Sequence, residues 1–129
     1  MSLQVRIEPP VAARITVRPA GKLDATSSQE FDSALELVLA QMPRGGTLVF
    51  DLADLEYISS AGLRSLFRAR KAMKAIGGHS LIMQAQPQVR AVLDIVKAVP
   101  VREVFRNVEE LDAHLAEIQR KVVEGDIDS

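Results

Sequence analysis

Two adjacent serines, Ser59 and Ser60, stand directly before Ala61, Gly62 and Leu63. The apolar residues that follow recur at helical spacing, which sets both hydroxyls at a helix start. The first-turn backbone N–H groups of a helix have no partner within it and carry the positive end of its dipole. A serine at that place can cap them or carry a phosphate, and the two uses look alike in isolation. A third use, nucleophilic attack of the serine hydrolase kind, needs a Gly-x-Ser-x-Gly elbow and a positioned base. Ile58 stands where the first glycine of that elbow belongs.

Other chemistry-bearing residues are sparse. Asp24, Asp51 and Asp54 could be read as an acidic cluster for a divalent cation, but an acid opening a turn and an acid closing a strand are ordinary structural placements. His79 and His114 lie 35 residues apart with no cysteine and no His-Glu-x-x-His spacing, which argues against a dedicated metal site. His114 is expected to pack at the edge of a helix stripe. Gly45-Gly46 and Gly77-Gly78 read as turns, because no phosphate loop follows a strand. No metal, no cofactor and no catalysis are expected.

The chain has 129 residues, a net charge of −1 from 16 basic and 17 acidic residues, and no cysteine. That length fits one domain with a real core, held by packing rather than by disulfides. We place the domain at residues 1–123, with a polar C-terminal tail over 124–129. The near-neutral charge gives no global attraction to nucleic acid or anionic lipid. Aromatic residues are 4% of the chain, which also argues against nucleic-acid binding. No apolar run is long enough to span a membrane and the N-terminus has no signal-peptide core, so a cytoplasmic location without membrane insertion is expected.

The elements that must position the serines follow from periodicity. Leu3, Val5 and Ile7, then Ile15 and Val17, alternate with polar residues as half-buried strands, with Pro9-Pro10 between them as a hairpin. Phe31, Ala34, Leu35, Val38 and Met42 recur at helical spacing after a Ser27/Glu30 capping box. Residues 47–52 form a short continuous apolar run, the central strand, covered on both faces. A second helix over 61–75 closes at Gly77-Gly78, and Leu81-Ile82-Met83 is a further strand. Pro87 opens a third helix carrying Val89, Val92, Leu93 and Val96, with Pro100 beyond it. Asn107 and Glu110 cap a fourth, striped by Leu111, Leu115, Ile118 and Val122. The order β-β-α-β-α-β-α-α predicts an α/β domain: a mixed β-sheet with an N-terminal hairpin and about four helices packed against it.

On the second helix, Leu63, Leu66, Ala69 and Met73 share one arc while Arg64, Arg68 and Lys71 share the opposite side. Arg70 falls within the apolar arc and is read as a stem at its rim. A solvated surface and a docking face for an acidic partner both fit this basic side.

Residues 51–63, reading DLADLEYISSAGL and preceded by Gly21-Lys22-Leu23-Asp24, resemble the STAS domain, the family of bacterial anti-sigma factor antagonists. The resemblance runs from Leu3 to about Val122. Its marks are an N-terminal strand pair, a Gly-x-Leu-Asp loop, a strand ending in Asp-Leu, and an Asp-Ser-(Ser/Thr)-Gly-Leu phosphorylation motif opening a helix. Carried over by position, the phosphoacceptor is Ser60, with Ser59 as the second candidate; Gly62, Leu63 and the loop acid Asp24 also match. Ser59 stands where many antagonists have an acid, and Ala61 where they have Ser or Thr.

The resemblance implies a STAS-like fold and a partner-switching regulator. Unphosphorylated, it binds an anti-sigma factor that is a serine kinase; phosphorylation of Ser60 releases it, and a phosphatase reverses the mark. The partner surface expected on this reading joins Asp24, Ser59, Ser60, Gly62 and Leu63 to the basic side of the second helix, Arg64, Arg68 and Lys71. A second reading within the same family is a STAS subunit docking on a membrane transport complex of the ABC type.

Overall fold

A computed structural model of the chain describes residues 3–97 and 108–125. Apolar–polar alternation produces β1 (Leu3–Ile7) and β2 (Arg14–Leu23), paired antiparallel with Leu3 opposite Gly21 and Ile7 opposite Val17. Pro9-Pro10 lies in the connection, but the reversal itself is made by Val11 and Arg14, whose backbones bond each other in both directions at 2.9 and 3.0 Å. Ala12 takes a positive φ there.

Three further strands run parallel to their partners: β3 (Thr47–Asp51) and β4 (Leu55–Ile58) on successive stretches of β2, and β5 (His79–Met83) on β3. The sheet is therefore mixed, in the order β1-β2-β3-β5 with β4 on β2. The fold class read from the sequence holds, and one strand is added to it. β4 escaped the periodicity because its register slips at Gly21/Lys22, with Leu55 opposite Gly21 and Tyr57 opposite Lys22. That bulge changes the phase, so Leu55 and Ile58, three residues apart, both point inward and the period of two is lost.

The helices are α1 (Ser28–Ala40), α2 (Ser60–Ala75), α3 (Pro87–Lys97) and α4 (Val108–Glu124). Phe31, Leu35 and Val38 of α1 and Leu63, Leu66, Ala69 and Met73 of α2 are buried with Ile15, Val17, Leu48 and Phe50 of the sheet. The Phe31 and Phe50 rings meet with centroids 6.2 Å apart. Leu48 to Asp51 are all buried, as a strand covered on both faces requires. α2 stops at Gly77, whose φ of 70° suits glycine, and Gly78 N–H closes the last turn on Met73 O at 2.8 Å.

α3 and α4 pack on each other, and α3 lies against β4. Val89, Val92 and Leu115 are fully buried at that end of the molecule. His114, expected to pack, is exposed instead: Leu115 and Ile118 carry the buried side of α4 and leave position 114 outside it. Pro100 and Asn107 lie outside the described residues.

Candidate functional site

The Ser59 turn is built where two parallel strands end together. Leu23 stands opposite Ile58 in the β2–β4 register, and Ser59 N–H donates to Leu23 O at 2.9 Å. The Asp24 loop and the serine turn therefore leave the sheet side by side.

Gly62 is fixed by this closeness. A Cβ there would lie 2.8 Å from Ile58 Cγ1 and Leu23 Cγ, and 2.9 Å from Leu23 O. Only glycine lets the first turn of α2 sit this low on the strand ends. Leu63, next to it, is fully buried and begins the core stripe, so it supports the turn from within.

The Asp24 loop is closed by its own side chains. Thr26 donates its N–H and its Oγ1–H to Asp24 Oδ1 at 3.0 and 2.7 Å, and Asp24 N–H donates to Ser27 Oγ at 3.0 Å. Ser27 Oγ–H in turn donates to Lys22 O at 2.8 Å. Ser27 is the N-cap residue of α1, but its side chain makes no cap bond, because it is turned back into this loop. Partial burial works to raise the Asp24 pKa, yet the Thr26 and Ser27 hydrogen bonds outweigh it and hold the carboxyl below its usual range.

The start of α2 is capped in an unexpected way. The N-cap residue is Ser59, extended and with no side-chain cap bond, and Ser60 is the first helical residue. Both hydroxyls are buried, and Ser59 Oγ and Ser60 Oγ find no hydrogen-bond partner. The cap comes from the far end of the chain: Asp112 Oδ1 on α4 accepts the Ser60 N–H at 2.8 Å. A carboxylate at a helix N-terminus satisfies an orphan donor and opposes the dipole.

α4 is clasped to the site a second time. Gln119, itself buried, accepts Ile58 N–H at 3.0 Å through Oε1 and donates to Ile58 O at 2.9 Å through Nε2. Gln88 and Gln86 add bonds to Glu56 O and Ala53 O, at 3.0 and 2.7 Å. Side-chain amides thus take up backbone groups that β2 leaves unpaired on and before β4. Neither Asp112 nor Gln119 was singled out from the sequence. Their contacts span 52 and 61 residues, and neither belongs to a local motif.

Tyr57 sits among these groups. Its hydroxyl pKa is raised above 10.0, first by burial and then by the nearby charges of Asp112 and Asp24. Asp51 is engaged elsewhere: it is buried, faces Arg18 Nη2 at 3.3 Å and accepts the Ala53 N–H at 3.1 Å. Asp24, Asp51 and Asp54 do not converge, and among the described residues no group of three or more acids and histidines is arranged to hold a metal ion.

On the outer side of α2, Arg64 is half-buried, while Arg68, Arg70 and Lys71 are exposed. Arg68 is not wholly given to solvent, since its Nη2 lies 2.6 Å from Asp32 Oδ2 on α1. Asp32, Leu35, Glu36, Ser65 and Arg68 line a groove of about 400 Å³ between the two helices.

Residues 2–111 match the model of the STAS domain. The chain belongs to the STAS domain family. A protein of Bordetella bronchiseptica named as an anti-sigma factor antagonist, BtrV, is 32% identical over 76 residues, which are 58% of this chain and 63% of that relative. The matched stretch thus spans less than two thirds of the relative's length. The unphosphorylated form of the anti-sigma factor antagonist SpoIIAA superposes with a TM-score of 0.62 at 18% identity, over 73% of this chain and 81% of that one. Its phosphorylated form, from Bacillus, gives 0.58 at 17% identity over 72% and 83%. Among the described residues, five strands and four helices form this frame, and the serine turn lies at the start of α2.

Proposed function

We propose that this STAS domain is an anti-sigma factor antagonist that switches partners. It binds an anti-sigma serine kinase while Ser60 is unmodified and leaves it when Ser60 carries a phosphate. The carrying observation is the pair of serine hydroxyls at the N-terminal turn of α2, neither of them used to cap the helix or bond a neighbour. A hydroxyl retained there makes no structural bond that modification would break, and an anti-sigma factor antagonist of similar fold, SpoIIAA, has been solved in a phosphorylated form.

The chemistry belongs to the partner. Ser60 Oγ attacks the γ-phosphorus of ATP, the new Oγ–P bond forms as the bond to the ADP oxygen breaks, and the hydroxyl proton passes to a base of the kinase. The product carries about −1.5 to −2 charges. A partner seated on the Asp24 loop and the α2 start would then face an added anion, and a phosphatase restores the first state by hydrolysis.

The test is incubation with the cognate kinase and ATP followed by peptide mass mapping. One phosphate on Ser60 is expected, and Ser60→Ala should still bind the kinase yet not be released by ATP. A phosphate on Ser59 would move the acceptor, and none with an active kinase would remove the switch.

A further inference from the structure

The hydroxyl proposed as phosphoacceptor is buried next to a residue of α4. Ser60 is 0% exposed, its Oγ has no partner, and the N–H group beside it is already held by Asp112. No kinase can reach the oxygen in this arrangement. We propose that α4 is a cover over Ser60, held by Asp112 and Gln119, and that a docked α4 and an anion on Ser60 exclude one another. This rests on the functional reading above, and it makes the position of α4 the readout of the modification.

The argument is one of shared space and charge. A phosphate on Ser60 would seek the donors at the start of α2, where the Asp112 carboxylate already sits. Two anions cannot hold one N–H group, and like charges at that distance in a partly buried site repel. Asp24 and Asp112 both lie within electrostatic reach of Tyr57, so an anion on Ser60 would be added where two carboxylates already act. α4 is held to the serine turn by a small number of discrete contacts: the Asp112 cap, the Gln119 clasp on Ile58, and buried Leu115 and Ile118. Losing the cap therefore loosens the helix as a unit.

Because the chain has no cysteine, Ser60→Cys provides a single thiol, close in size to the hydroxyl, whose alkylation by iodoacetamide measures how often position 60 opens. Slow labelling is expected in that variant, rising about tenfold or more when Asp112→Ala or Gln119→Leu is added, with little dependence on low denaturant. Asp112→Ala also removes a charge that disfavours the thiolate, whereas Gln119→Leu does not, so a rise in both reads opening. Labelling at the rate of an exposed thiol in Ser60→Cys alone, or no change with Gln119→Leu, would overturn the cover. Exclusion is tested by amide hydrogen exchange. Ser60→Asp should lower protection across residues 112–119, and adding Asp112→Asn should restore it; unchanged protection in a folded Ser60→Asp protein overturns exclusion. Neither measurement involves a kinase. Absence of phosphate in the kinase assay therefore sinks the functional reading alone, and unchanged labelling sinks the cover alone.

Discussion

Arg68 on α2 reaches Asp32 on α1 with its guanidinium nitrogen 2.6 Å from a carboxylate oxygen. One cation of the basic stripe thus ties two helices together across the groove they form. Arg68 is 62% exposed in its side chain, and a pair in that setting contributes little to folding, about 0–1 kcal/mol. Arg68→Ala should leave urea unfolding nearly where it was. Reversal of Arg64 and Arg68 together to Glu should slow association with an acidic partner and flatten its salt dependence in stopped-flow measurements at two ionic strengths. An unchanged rate would leave the stripe as helix surface only.

Gly62→Ala should be costly out of proportion to one methyl group. Two of the three atoms that would meet the new carbon are core side-chain atoms and the third is a backbone oxygen, so the turn itself must lift from the strand ends. Overpacking of this kind costs about 1–3 kcal/mol, measurable as a lower midpoint in urea. The same variant should weaken partner binding, because the serine turn moves with the helix.

Acid should weaken the Asp24 loop in a defined window. A carboxyl whose folded pKa lies below its unfolded value stabilises fully above the unfolded value, and the contribution disappears as pH falls through the folded one. For Asp24 the window therefore opens at the ordinary 3.8 and extends downward. Asp24→Asn should flatten the loss of stability across that range in thermal melts, while an unaltered acid limb would mean that other carboxylates govern it.

Tyr57 offers a direct optical probe of Asp112, since it is the single tyrosine and the chain has no tryptophan. Its folded pKa is raised, so the stability linked to its protonated form is full below 10.0 and is lost as pH rises through the folded value. Asp112→Asn removes one of the two charges that oppose the phenolate. The absorbance titration should move to lower pH, and no movement would separate Asp112 from the site.

Much of this arrangement was legible in the sequence because it is written locally. The helical spacing of Leu63, Leu66, Ala69 and Met73, the glycine stop at residues 77 and 78, and the loop acid at Asp24 each depend on neighbours a few residues away. What escaped was non-local or out of phase. A bulge hid β4 from the alternation test, Ser27 spends its hydroxyl on the loop rather than on its own helix, and the true cap of α2 arrives from Asp112, 52 residues on. His114 was misplaced because a stripe drawn at helical spacing has a rim, and only packing decides on which side of it a residue lies.

The glutamine clasp has one more effect, on how the molecule behaves in company. Gln119 offers Ile58 the same donor and acceptor pair that a neighbouring strand would offer, and so it occupies a backbone edge that would otherwise be open to another chain. Any change that lifts α4 uncovers that edge at the same moment as it uncovers Ser60. The proposed cover of Ser60 and the protection of this strand edge therefore both depend on the docking of one helix, and variants that loosen it should be watched for loss of solubility as well as for labelling at position 60.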